Sequence, residues 1–289
     1  MGLTDLFDFC KEWIDVCNNR YYRLLQFCGI KRIKNMNVKN KIALVTGGSR
    51  GLGRNMAISL AKKGIDVVLT YNSNRAAADA VVAEILALGQ QAAAFQLDTS
   101  STAAFDGFIK QVTDHLQERT GSPNIDFLIN NAGTGLYVLA ADTTEQQLDA
   151  MMNIHYKGVF FLTQKVLPFI NDGGGIINIS SGLARFTIPG SSVYASMKAA
   201  VEVLTRYLAK ELGGRKIRVN VVAPGAIETD FGGGRTRDNK EINAQIAGVT
   251  ALGRVGLPDD IGGVVAFLCT EEARWITGQR IEVSGGQGL

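Results

Sequence analysis

Between residues 42 and 283 short apolar runs alternate with longer stretches of helical periodicity, and this alternation restricts the available folds more than any other feature. The runs fall at 42–45, 67–70, 92–97, 127–129, 176–180, 217–222 and 280–283. The helical stretches follow a glycine turn to about residue 63, then occupy 76–88, 103–119, 145–170, 193–212 and 259–269, with Gly89 and Gly213-Gly214 as stops. Strands this short and this apolar are covered on both faces, which calls for a parallel sheet with helical crossovers. The expected fold is therefore α/β, a single Rossmann-type doubly wound parallel sheet with helices on both faces. Ligands of such sheets sit beyond the carboxyl ends of the strands.

Residues 1–35 read as a separate N-terminal extension and linker, and residues 36–289 as the main domain. In the extension Leu3, Leu6, Phe7, Cys10, Trp13, Ile14, Cys17, Tyr21, Leu24, Leu25 and Cys28 recur at three and four residues, the stripe of an amphipathic helix. Its first half carries Asp5, Asp8, Glu12 and Asp15 against Lys11, and residues 18–39 carry six bases and no acid. Three roles stay open for it. It packs on its own domain or a subunit partner, it lies on a membrane surface through residues 1–28, or the natural start is Met36. The acidic first turns argue against the membrane.

Composition excludes several classes. With 46% hydrophobic and 20% charged residues the chain can bury a core, and a net charge of +3 makes no case for nucleic acid. Four cysteines without a C-x-x-C pair, and two histidines, predict no metal site. No run of about 20 apolar residues and no secretory leader is visible, so the expected compartment is the cytoplasm.

Thr46-Gly47-Gly48-Ser49-Arg50-Gly51-Leu52-Gly53 joins the first strand to the first helix of this domain. Glycines there let backbone N–H groups approach a pyrophosphate, and the helix N-terminus adds positive potential. The candidate contacts are Gly47, Ser49, Arg50, Gly51, Leu52 and Gly53, with Asn72 and Ser73 at the end of the second strand. That end reads Thr70-Tyr71-Asn72-Ser73, with no acid for a ribose 2′-hydroxyl, and Arg50 can pair with a 2′-phosphate. NADP(H) is therefore expected in preference to NAD(H).

Tyr194 and Lys198 stand at i and i+4 on one helix face, and Ser181 follows the fifth strand. A nearby ammonium favours the phenolate, so Lys198 is expected to lower the pKa of Tyr194. Tyr194 then acts as general acid or base, with Ser181 hydrogen-bonding the substrate oxygen. The segment 231–255, with Phe231-Gly232-Gly233-Gly234 as hinge and Arg235, Arg237 and Lys240 as bases, reads as a substrate lid. His115 is expected at the surface.

Over residues 40–289 these motifs, in this order, resemble the short-chain dehydrogenases/reductases. The landmarks are T-G-x-x-x-G-x-G at 46–53, Asp98, N-N-A-G at 130–133, Ser181, Y-x-x-x-K at 194–198, and Pro224-Gly225. The resemblance implies Asp98 at the adenine edge and Asn131, Ala132 and Gly133 lining the cofactor cleft. It implies Lys198 on the nicotinamide ribose, Pro224 and Gly225 after the sixth strand, and Ile227 and Thr229 at the carboxamide and phosphates. It also implies a homotetramer with contacts along 145–170 and 193–212. One position departs from the pattern: His155 stands where the family has the asparagine of N-x-x-G, while Asn153 lies about 200° away around a helix. Two readings of His155 stay open: it holds the relay water through a ring nitrogen and titrates near neutrality, or it is a structural side chain. The function expected is hydride transfer between NADP(H) and a small-molecule carbonyl or secondary alcohol. A cofactor-sensing regulatory protein on the same fold is the alternative, which the presence of Ser181, Tyr194 and Lys198 disfavours.

Overall fold

The computed structural model describes residues 40–289; the helix expected in the extension and most of its linker lie outside the described residues. Seven strands form one sheet: β1 (Ile42–Val45), β2 (Asp66–Tyr71), β3 (Ala92–Gln96), β4 (Ile125–Asn130), β5 (Ile170–Ile179), β6 (Arg218–Pro224) and β7 (Arg280–Val283). Their spatial order is β3-β2-β1-β4-β5-β6-β7, and all neighbours are parallel. The helices are α1 (Gly51–Lys62), α2 (Arg75–Ala87), α3 (Phe105–Thr120), α4 (Glu145–Met152), α5 (Gly158–Val166), α6 (Ser192–Glu211), α7 (Arg235–Asp238), α8 (Lys240–Gly248) and α9 (Asp259–Leu268). The chain winds outward from β1 to β3 and returns to β4. The direction reverses between β1 and β4, so the loops leaving those two strands diverge and open a crevice.

Alternate strand residues feed two separate cores. Ala43 and Val45 of β1 join Met56 and Leu60 of α1, Val81 and Ile85 of α2, and Ile261 and Val265 of α9. Ile42 and Leu44 join Phe105 and Phe108 of α3, Leu162 and Val166 of α5, and Leu204 and Leu208 of α6. Each such side chain contributes about 1.5–3 kcal/mol by leaving water. In the central strands both faces are buried, and the polar residues that are exposed, such as Gln96 and Asp172, stand near strand ends. The buried exceptions satisfy one another. Asn130 Nδ2 donates to Asn178 Oδ1 (2.8 Å) and Thr163 Oγ1 (3.0 Å), and Asn178 Nδ2 donates to Thr205 Oγ1 (2.8 Å). This ladder ties β4 and β5 to α5 and α6 through fully partnered groups.

Four expectations need correction. The fifth strand, expected at 176–180, begins at Ile170. There it pairs with Ile125 before a register shift brings Gly175 opposite Phe127, and the glycines at 173–175 hide this from an apolar pattern. The helical stretch 145–170 is broken by a π turn at Asn153–Lys157 and ends in a 3-10 turn at Leu167–Phe169 that contains Pro168. His115 is half-buried rather than on the surface, its ring edge-on to Phe95 with centroids 5.5 Å apart. Burial, followed by the charge of Arg119, lowers its pKa. In the lid segment Arg237 is not a free base, since it pairs with both Asp230 and Asp238.

Candidate active site

The loops at the carboxyl ends of β1 and β4 are laced together across the crevice. Thr46 Oγ1 accepts from the N–H groups of Asn131 (2.9 Å) and Ala132 (3.0 Å). Asn131 Nδ2 donates back to the carbonyls of Thr46 (2.8 Å) and Gly47 (3.2 Å). Gly47 has φ +64°, which favours glycine. A methyl group on Gly53 would sit 2.1 Å from Gly47 O, so α1 starts in contact with the turn that precedes it. Arg50 caps α1 without a side-chain hydrogen bond, and the first turn of α1 holds no acid. The first N–H groups of α1 are therefore open to an anion. Arg50, Asn72, Ser73 and Asp98 are all exposed around this mouth, with Ser49 and Leu52 partly covered. Asp98 Oδ1 accepts from Ser100 N (2.9 Å) and Oγ (2.7 Å). Thr229, 8% exposed, reaches over from the loop after β6 and faces Gly51. Ile227, on the same loop beyond Pro224 and Gly225, bridges to Gly256. A glycine cradle that any side chain would fill, an uncapped helix start and a neighbouring arginine fit a phosphate-bearing dinucleotide.

Ser181 leaves β5 in extended conformation and its Oγ accepts from Leu183 N (3.2 Å). Tyr194 and Lys198 follow one turn apart on α6. Lys198 Nζ donates to Ile179 O (2.8 Å) and lies 5.6 Å from the Tyr194 ring centroid. Burial pushes Tyr194 up to about 12, with the Ser181 hydroxyl pulling the other way. Burial brings Lys198 down to about 8. The expected acidification of Tyr194 is thus reversed: desolvation of the phenolate outweighs an ammonium that is held by a backbone carbonyl. Tyr194 remains a neutral phenol at physiological pH, which is the form a proton donor needs.

His155 sits in the π turn between α4 and α5 and is 1% exposed. Its Nε2 lies 2.7 Å from Thr134 O, which makes Nε2–H the donor. Among the described residues, buried Nδ1 has no partner. The ring stands edge-on to Tyr194, centroids 5.1 Å apart at 88°. Gly133 makes room for it, since a methyl group there would meet Cε1 at 2.6 Å. Burial, then the charge of Lys198, lowers its pKa to about 3. The expected titration near neutrality is corrected on that ground, because His155 is neutral wherever the protein is folded and working. Asn153 is only half-buried on the same turn.

A cleft of about 350 Å³ opens against the first turn of α6, lined by Leu139, Leu183, Ile188, Pro189 and Ala195 among others. Tyr137, from the loop after β4, lies over Gly190, and Val138 N donates to Gly190 O (2.8 Å). Phe231 of the lid packs on the Tyr194 ring, centroids 5.8 Å apart, and the Arg235 guanidinium lies 4.9 Å over the Tyr137 ring. Tyr137 was missed in the sequence, and Phe231 was read only as part of a hinge. Their signal was available: bulky aromatics in loops that leave the carboxyl ends of strands.

The family model described as enoyl-(acyl carrier protein) reductase matches residues 47–287. A hydroxynaphthalene reductase-like protein, Arp2 of Metarhizium majus, is 35% identical, covering 86% of this chain and 96% of its own. Among solved structures, the promiscuous reductase LugOII, which catalyses keto-reduction at C1 during lugdunomycin biosynthesis, is 42% identical with a TM-score of 0.82. That match covers 86% of this chain and 98% of LugOII. The landomycin C-6 ketoreductase LanV, solved with NADP and rabelomycin bound, is 37% identical with a TM-score of 0.79, over 88% and 98% of the two chains.

Proposed function

We propose that this chain, which belongs to the short-chain dehydrogenase/reductase family, is an NADPH-dependent reductase of a bulky, largely apolar ketone. The observation that carries the reading is a neutral Tyr194 phenol beside Ser181, one helical turn from Lys198, at the end of the sheet where the glycine turn opens. When bound, NADPH supplies the hydride. The Ser181 hydroxyl donates to the ketone oxygen and fixes its direction. Tyr194 gives its proton to that oxygen as negative charge builds on it. The Lys198 ammonium offsets the charge left on Tyr194 and holds the nicotinamide ribose. Arg50 takes the 2′-phosphate, with Asn72 and Ser73 beside it and Asp98 at the adenine edge. His155 keeps the relay position as a neutral acceptor, its Nδ1 holding a water. The apolar walls set by Tyr137, Leu139, Ile188 and Phe231 suit fused rings better than a small ketone, in keeping with the rabelomycin bound to LanV.

The catalytic unit is residues 36–289, and it works in the cytoplasm as a homotetramer. Support for assembly comes from Phe160 and Phe161 of α5 and Val203 and Tyr207 of α6, which all stand exposed.

Titration with NADPH and NADH, followed by nucleotide fluorescence, tests the cofactor. NADPH binds more tightly by roughly tenfold to a hundredfold, the scale of one charge-assisted hydrogen bond, and Arg50→Ala erases that preference. Tighter binding of NADH would overturn the assignment. His155→Ala lowers turnover by about tenfold, the low end for a lost positioning contact, with NADPH affinity unchanged. A fully active variant would remove His155 from the site's workings.

A further inference from the structure

Next to the catalytic serine, charged side chains form a chain that none of these roles uses. Arg280, the first residue of β7, spends its guanidinium in three directions. Nε donates to Glu202 Oε1 (2.7 Å), Nη1 to Glu282 Oε2 (2.7 Å), and Nη2 to the carbonyl of Ser181 (3.3 Å). Glu202 lies on α6 one turn beyond Lys198 and also accepts from Ser180 Oγ (2.6 Å). Glu282 is gripped from its other side by Arg185 through Nε (2.8 Å) and Nη2 (2.7 Å), and by Ser284 Oγ (2.9 Å). Arg185 passes on to the carbonyls of Gln287 (2.8 Å) and Gly288 (3.2 Å). Gln287, 4% exposed, accepts from Ala226 N (2.8 Å) through Oε1, in the loop that leads to Ile227 and Thr229.

The chain alternates base and acid, so its two arginines and two glutamates sum to zero charge. The side chains of Glu202, Arg280 and Glu282 are 12%, 24% and 20% exposed, which shields the pairs from solvent screening. Arg185 first, then Arg280, hold Glu282 down at about 2, so this carboxylate stays ionised.

We propose that Arg280 is a positioning residue for Ser181, clamping the serine's backbone between α6 and β7 so that its hydroxyl faces Tyr194. The inference rests on the reading of Ser181 as a catalytic residue. Ser181 leaves the sheet for a 3-10 turn, where the backbone loses the strand ladder that fixed Ile179. Its carbonyl takes Ala184 N (3.1 Å) on one side and Arg280 on the other. The residue before it is tied to α6 through Ser180 and Glu202. Both flanks of the serine are thus referenced to the helix that carries Tyr194 and Lys198. Catalytic geometry tolerates about 0.5 Å of error, and a guanidinium with three fixed donors sets position more tightly than a single hydrogen bond.

The test uses the full chain with Arg280→Gln and Arg280→Lys, NADPH, and a fused-ring aromatic ketone such as tetralone. Both Arg280 variants lose kcat by roughly tenfold to a hundredfold, the scale of a misplaced catalytic group, with NADPH affinity unchanged. Arg280→Lys keeps the charge and the fold but cannot reach three partners, so it does not rescue. In a Ser181→Ala background, Arg280→Gln causes no further loss. Lys110→Gln, which breaks an exposed pair with Asp114 elsewhere, leaves turnover unchanged. Unaltered kcat in Arg280→Gln, or losses that add to those of Ser181→Ala, would overturn the proposal. Crystal structures of the parent and Arg280→Lys decide it without turnover: a displaced Ser181 hydroxyl supports the clamp and an unmoved one refutes it. A parent protein that binds NADPH and reduces no ketone strikes at the reductase reading instead.

Discussion

Tyr194→Phe loses turnover by about 10²- to 10⁴-fold, the contribution of a positioned general acid, while binding NADPH as the parent does. The ring stays where it is, since its contacts with His155 and Phe231 are made by carbon. What disappears is the phenol proton, held on the oxygen by burial that pushes its pKa up to about 12. Steady-state NADPH oxidation measures the loss, and fluorescence titration measures the retained affinity. Turnover close to that of the parent would take Tyr194 out of the proton transfer. The opposite failure, a parent that binds NADPH with no turnover on any ketone, would favour the cofactor-sensing alternative.

Gly53→Ala has the second large effect, and its cause is steric. The new methyl group would lie 2.1 Å from Gly47 O and 2.5 Å from Asn131 Nδ2. Neither neighbour is free to withdraw. Gly47 N donates to Thr70 Oγ1 (3.0 Å), and Asn131 Nδ2 is bound to two carbonyls of the turn. Overpacking of this kind costs about 1–3 kcal/mol of stability, read as a lower melting temperature. The turn that must relax is the one whose N–H groups would meet the phosphates, so NADPH affinity falls by on the order of a hundredfold, about 2.7 kcal/mol. Parent-like NADPH affinity in Gly53→Ala would show that the phosphates do not lie on this turn.

The sheet was legible because burial on two faces leaves a continuous apolar run at each strand, and because glycine stops punctuate the helices. The turn at 46–53 and the pair Tyr194–Lys198 were legible for a related reason: spacing along one element determines which side chains share a face. What spacing cannot convey is desolvation. Lys198 stands four residues from Tyr194 as the sequence requires, yet it donates a hydrogen bond to Ile179 O, and burial moves the tyrosine's pKa upward. His155 shows the same limit, because burial and then the charge of Lys198 lower its pKa to about 3, and the groups around it come from the loop after β4 and from α6, far apart in the chain. Nor could sequence reveal that Arg280, 99 positions from Ser181, donates to its carbonyl. The hidden start of β5 has a simpler cause, a glycine run across a register shift.

The separation between the two cores and the loops above them bears on how such a chain changes over generations. Tyr137, Leu139, Ile188 and Phe231 are 60%, 54%, 43% and 48% exposed, and none belongs to the side chains that hold the sheet and helices together. Substitutions at exposed positions of this kind shift stability by only about 0.5 kcal/mol. A lineage, or a mutagenesis library, can therefore remodel the walls of the cleft while the fold stays intact. On the proposed reading, preference among ketones is the property of this scaffold most open to rapid divergence.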